Sequence, residues 1–204
     1  MGYHRSGFDV IGVDIEPRPN YPFTFVQSDA LEYLSWLIES TLIYRFDLVH
    51  ASPPCQHGAA ITKGTNAHLQ DTYPDLYEPT RRLLTGCGTP WVIENTYARP
   101  DVVLCGEMFG LGVTRHRKFE TGGWMTYKPD HIPHRGRVRG WRHGEYFEGP
   151  YVAAYGAGGG KATVPEMQEA MDIPWTDVRK ELTEAIPPAY TEWIGTRFLS
   201  RQRP

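Results

Sequence analysis

Short apolar runs recur through the first half of the chain, several of them ending on a polar residue: FDVIGVD (8–14), FTFVQSD (23–29), FDLVHAS (46–52), WVIENT (91–96) and VVLCG (102–106). Val, Ile and Phe dominate these runs, which predicts strands. Segments with helical spacing lie between and after them. DALEYLSWLIES (29–40) sets Asp29 in a capping position ahead of Leu31, Leu34, Leu37 and Ile38. DLYEPTRRLLTG (75–86) stops at Gly86, a usual place for a helix to end. PEMQEAMDI (165–173) and PAYTEWIGTRFL (188–199) supply two later helices. Strand–helix alternation with nearly continuous apolar strands predicts an α/β fold built on a parallel sheet covered on both faces. After residue 120 the pattern breaks, and Gly, Pro, Arg and His dominate to about residue 163. The chain therefore divides into a core over 1–120, an irregular region over 121–163 and returning helices over 164–204. No internal repeat is visible.

At 204 residues the chain is long enough for one well-buried domain. Charged residues are 22 % and the net charge is −3, ordinary for a soluble globular protein. No apolar run reaches the length of a membrane span and no charged-then-apolar leader opens the chain, so no membrane partner and a cytoplasmic location are expected. The three cysteines, Cys55, Cys87 and Cys105, form neither a CxxC pair nor an even framework, which fits a reducing compartment. Zinc needs four good ligands at short spacings. The His131–His134 pair has no cysteine beside it in the sequence, so no metal is expected.

Charge distribution changes the picture more than net charge does. His131 to His143 reads HIPHRGRVRGWRH, placing Arg135, Arg137, Arg139 and Arg142 around Trp141 with no acid among them. Such a basic strip is either a nucleic-acid contact or a solvated loop. GAGGGKAT (156–163) is not a phosphate-binding P-loop, since Tyr155 stands where the first glycine belongs and Ala162 replaces Ser or Thr. It reads as a mobile loop from which Lys161 could touch a phosphate backbone.

In parallel α/β sheets ligands bind beyond the C-terminal ends of the strands. Asp14, Asp29, Cys55 and Glu94 all fall at or just past such ends, on four different strands. A strand-end Asp alone is more often a helix cap than a ligand. Four reactive or acidic groups on one rim read as a site.

Ser52-Pro53-Pro54-Cys55-Gln56, then Glu94-Asn95-Thr96, then Arg115-His116-Arg117 form an ordered set. The set resembles the cytosine-C5 DNA methyltransferases, with their Pro-Cys-Gln nucleophile loop, Glu-Asn-Val strand end and Arg-x-Arg strand. Two departures stand out: the middle motif reads Glu-Asn-Thr, and the Gln that usually precedes the arginine pair is missing from Gly112-Val113-Thr114. VVLCGEMFGL and LTEAIPPAY also look like small phage-type members of the family, so the resemblance spans about residues 3 to 195. It implies a Rossmann-like, mostly parallel sheet of the S-adenosylmethionine-dependent type, with a short DNA-recognition region over 121–163.

The resemblance also implies roles. Cys55 would add as a thiolate to C6 of a flipped-out cytosine, making C5 nucleophilic. Glu94 would hold the N3 and amine edge of the base, while Arg115 and Arg117 hold its O2 and a phosphate and orient Glu94. S-adenosylmethionine would sit on Asp14 or Glu16 through its ribose, on Asp29 through its adenine amine, and against Ile15, Ala30 and Pro53. Double-stranded DNA, met by a monomer, would lie on Gln56, Lys161 and the four strip arginines.

The family's first motif, a Phe-x-Gly-x-Gly loop after the first strand, has no counterpart here. Met1 to Gly7 matches the helix that follows that loop. Either the start is assigned too far downstream or the chain is a truncated, inactive relative, and weak cofactor binding is expected. Three other readings compete: a non-catalytic DNA-binding module, a thymidylate-type enzyme with another one-carbon donor, and a structural domain with a buried Cys55.

Overall fold

A computed structural model of the chain describes residues 1–54, 74–96, 99–142, 144–155 and 162–201. Its elements, in chain order, are α1 (Gly2–Arg5), β1 (Ile11–Asp14), β2 (Thr24–Gln27), α2 (Ala30–Glu39), β3 (Val49–Ala51), α3 (Tyr77–Gly86), β4 (Trp91–Glu94) and β5 (Val102–Leu104). They continue with β6 (Arg117–Gly122), β7 (Gly140–Arg142), β8 (Glu145–Phe147), α4 (Val164–Met171), α5 (Arg179–Glu184) and α6 (Pro188–Ser200). Every apolar run named above holds a strand, and each predicted helix forms within a residue or two of its expected ends.

The local chemistry explains these boundaries. Asp29 stays extended and accepts the Leu31 and Glu32 N–H groups, so α2 starts where the capping position predicts. Thr163 and Glu166 cap α4 reciprocally, each side chain bonding the other's backbone N–H. At the opposite end of the chain α1 lies against α6 so closely that a Cβ on Gly2 would sit 2.0 Å from the Pro188 carbonyl oxygen.

The protein is mixed α/β, but the described strands do not form one mostly parallel sheet. β1 and β2 pair in parallel as a separate sheet. A second sheet has the order β3-β4-β6-β5, in which β3 and β4 are parallel while β6 runs antiparallel to both β4 and β5. β7 and β8 form an antiparallel hairpin. The departure centres on β6. RKFETG has one large apolar residue, Phe119, so its hydrophobic pattern does not announce a central strand, and pairing with two neighbours makes it one.

Coverage of both faces holds fully for β4 alone, which is buried at all four positions, whereas β1 and β3 are only half-buried. Alternation along β4 divides the core. Trp91 and Ile93 join Leu34, Leu37, Ile43 and Leu84 beneath α2 and α3, while Val92 joins Leu104, Phe119, Ile194 and Phe198 against α6. A third cluster, around Met167, Met171 and Leu182, packs the C-terminal helices onto Val113 and Val152. Among the described residues no helix is long and apolar enough to cross a membrane.

Candidate active site

β3 runs into Ser52-Pro53-Pro54, and the end of its parallel neighbour β4 grips that turn. The Ser52 hydroxyl donates to Glu94 Oε2 at 2.6 Å, and Asn95 Nδ2 donates to the Pro53 carbonyl at 3.0 Å. The parallel register, Ala51 opposite Ile93, brings both strand ends out side by side. On the other flank of β4, antiparallel pairing sets Phe119 opposite Glu94 and so carries Arg117 alongside it. Arg117 Nε lies 3.1 Å from Glu94 Oε1. One Glu94 oxygen therefore faces a hydroxyl and the other a guanidinium. Glu94 is only 7 % exposed, and a carboxylate that far from water needs such partners.

A cleft of about 700 Å³ opens beside this group, between the β1–β2 pair and β3. Asp14, Ile15, Glu16, Asp29, Ala30 and Pro53, the residues expected to hold the cofactor, all line it, and Glu94 and Arg117 stand on its wall. Leu34, Leu37, Val49 and Ala51 make the adjoining wall apolar.

The rim acids have partners of their own. Asp14 accepts the Glu16 N–H at 2.9 Å and pairs with Arg18 Nε at 2.9 Å. Glu16 pairs with Arg18 at 3.3 Å and Lys180 at 3.6 Å. Asp29 spends its Oδ1 on the cap of α2.

The two arginines of the Arg-x-Arg pair part company. Arg117 reaches Glu94, while Arg115 turns its guanidinium to the backbone carbonyls of Ala154, Thr183 and Ala185, and its own carbonyl accepts the Tyr190 hydroxyl. Arg115 thus fastens the C-terminal segments to the start of β6 and does not line the cleft. Its backbone has a positive φ of 29°, so the turn that reverses the two side chains is itself unusual.

The basic strip is partly neutralised from within. Arg135 pairs with Glu107 at 2.8 Å and Arg139 with Glu166. Arg137 lies 5.6 Å from the Phe147 ring centre. Trp141 and Tyr146 face each other across the β7–β8 hairpin, edge to face at 5.6 Å, and both are exposed. Cys55, Gln56 and Lys161, together with the Arg142 side chain, lie outside the described residues.

Three further features escaped the sequence reading. Ser52 and Asn95 belong to recognised motifs, but their grip on the turn depends on strand pairing. His50 on β3 has the Tyr3 hydroxyl 2.6 Å from Nδ1 and a buried Nε2 without a partner among the described residues, and burial pushes its imidazole down to about 4. Burial also raises the Tyr3 hydroxyl far above its ordinary range. Lastly, the premise that His131 and His134 lack a thiol neighbour is corrected by the fold: Cys105 Sγ lies 3.3 Å from His134 Nε2. Sequence spacing could not show this, because the thiol follows a strand and the imidazoles come from a loop.

Compared with known proteins, the chain matches no family model, no curated protein and no solved structure.

Proposed function

We propose that this chain is a DNA cytosine-C5 methyltransferase that works through a covalent bond between Cys55 and C6 of the target base. The observation that carries the reading is the meeting of three separated motifs: the Ser52-Pro53-Pro54 turn, Glu94-Asn95 and Arg117 interlock at one wall of the cleft. Nothing about a structural domain requires a buried carboxylate to hold the turn that precedes a cysteine. A covalent mechanism does, because the thiolate must reach C6 while an acid holds the edge of the same ring.

The residues divide the work as follows. Pro53 and Pro54 restrict the backbone that leads to Cys55. Cys55 adds to C6, and the ring becomes an enamine, nucleophilic at C5. Glu94 holds the base edge and shares a proton at N3, which makes C6 electrophilic. Arg117 keeps the Glu94 carboxylate in place. Once C5 has taken the methyl group and the donor has left as a neutral thioether, loss of the C5 proton and elimination of the thiolate would restore the ring and free Cys55.

The cleft suits an adenosine-bearing methyl donor: about 700 Å³ is within the usual range for such ligands, one wall is apolar, and three carboxylates stand on the rim. S-adenosylmethionine would be held by Asp14 or Glu16 at its ribose, by Asp29 at its amine, and by Ile15, Ala30 and Pro53 along its base. When bound it supplies an electrophilic methyl group.

The strand order supports the finer fold assignment. In doubly wound sheets of order 3-2-1-4-5-6 the first strand stands between the second and the fourth. The two sheets here, β2-β1 and β3-β4-β6-β5, read as the two wings of such an order around the cleft. The partner is double-stranded DNA, met by Arg137, Arg142 and the exposed Trp141–Tyr146 hairpin.

Covalent trapping tests the reading. Duplex DNA of mixed sequence containing 5-fluorocytosine, with S-adenosylmethionine in large excess to offset the weak cofactor binding expected without a Phe-x-Gly-x-Gly loop, should form an adduct with the wild type and with Cys87→Ala, and none with Cys55→Ala. No wild-type adduct, with DNA binding intact, would leave a binding module without catalysis. An adduct that survives Cys55→Ala would overturn the assignment of the nucleophile.

A further inference from the structure

The end of β5, the start of β6 and the loop after β6 bring four metal-binding groups to one point. Cys105 directly follows β5, His116 directly precedes β6, and His131 and His134 sit on the irregular segment between β6 and β7. Their ligating atoms, one sulfur and three imidazole nitrogens, all lie within 4.8 Å of one another. His116 Nε2 is 3.0 Å from His131 Nε2, and Cys105 Sγ is 3.3 Å from His134 Nε2. A tetrahedral zinc ion, with Zn–N about 2.0–2.1 Å and Zn–S about 2.3 Å, holds its ligand atoms roughly 3.3–3.6 Å apart. The two closest pairs are near that spacing. The thiol is buried and the three imidazoles are exposed, so the longer pairs have room to close and an ion has a path in.

We propose that this chain binds one zinc ion through Cys105, His116, His131 and His134. Thiolate and imidazole donors select zinc over magnesium or calcium, which take oxygen. Four protein ligands complete a tetrahedron and leave no position for a reacting water, so the ion is structural. On binding, the Cys105 S–H bond is replaced by a Zn–S bond and the proton leaves to solvent, with no change of oxidation state. As a thiol, Cys105 donates to the Thr114 carbonyl 2.9 Å away, and coordination replaces that bond as well.

The ion staples the loop to the sheet. Between β6 and β7 the chain has little regular structure, and this stretch leads directly into the basic strip. A second tie runs beside the first: Arg135, next to His134, pairs with Glu107, two residues past Cys105, at 2.8 Å. His116 stands between Arg115 and Arg117, so the same ion anchors the start of the strand that carries the partner of Glu94. A ligand set drawn from two strand ends and one loop orders that loop in the way small metal domains are ordered.

The test uses the untagged full chain and is independent of methyl transfer. Protein purified without added metal should carry about one equivalent of zinc by mass spectrometry. After chelation, Co²⁺ should restore one equivalent with the visible bands of a tetrahedral ion and a thiolate charge-transfer band. Cys105→Ser should lose the charge-transfer band. His131→Ala changes an exposed side chain and leaves the core untouched. It should weaken Co²⁺ binding at least tenfold, the smaller end of what loss of even an outer-shell partner costs. Trypsin should cut after Arg135 and Arg137 faster once zinc is removed. Failure to bind Co²⁺, or binding unchanged in both variants, overturns the site. A tryptic pattern indifferent to metal overturns the stapling role.

Discussion

Asn95 donates its side-chain amide to the Pro53 carbonyl at 3.0 Å, although 42 residues separate the two along the chain. Asn95 is 1 % exposed while Pro53 is half-buried on the cleft, and the bond fixes the turn immediately before Cys55 from the neighbouring strand. Asn95→Ala leaves that carbonyl without its donor. Stability should fall by about 0.5–1.5 kcal/mol, the net worth of one hydrogen bond whose acceptor water can reach. Methyl transfer should fall by about 100-fold, the scale of misplacing a reacting group by ~1 Å. Urea unfolding and single-turnover rates measure the two separately, and a rate loss no larger than the stability loss accounts for would remove the positioning role.

Glu94→Gln keeps one oxygen to accept from Arg117, while its amide can donate to the Ser52 hydroxyl, but it cannot share a proton with the base. The fold should persist, with turnover lower by about 10²–10⁴-fold, as for a positioned general acid. Melting temperature and turnover together decide the matter, since a collapse of both would make Glu94 a structural acid.

The arginines of the strip should not act alike. Arg139 is engaged by Glu166 and Arg135 by Glu107, whereas Arg137 lies over an aromatic ring. Replacing Arg137 and Arg142 by Ala should weaken binding to all duplex sequences and flatten log affinity against log salt by about 0.9 per lost contact. Arg139→Ala should change that slope less and cost at most about 1 kcal/mol of stability, as exposed ion pairs do. Salt titrations of the variants give the comparison, and equal slopes for wild type and double variant would return the strip to a solvated loop.

His50 makes stability depend on pH in a definite direction. Burial holds its imidazole near 4 in the folded chain, while an unfolded chain takes up that proton near about 6.5. Between those values the unfolded state binds more protons. Stability is therefore lost as pH falls from about 6.5 towards 4 and levels off below, with a total of up to about 3 kcal/mol. Urea unfolding across this range, with chelator present to silence metal binding, should show the loss in the wild type. His50→Leu should show a shallower dependence, and an unchanged one would assign the loss to other groups.

Local pattern along the chain located β1 to β5, α2, α3, α4 and α6, and the residues that carry the motifs. A strand run, a cap at Asp29 or a stop at Gly86 is written within a few neighbouring residues, because period and capping are local properties. Everything that depends on which strands meet comes from the folded chain alone. The pattern of RKFETG did not reveal that β6 enters the sheet antiparallel between β4 and β5, and that entry is what brings Arg117 to Glu94 and leaves Arg115 on the C-terminal carbonyls. The same entry sets His116 beside Cys105, where a loop adds His131 and His134. Hydrophobic period tells a residue which face it takes. Only pairing between distant segments tells it whom it faces.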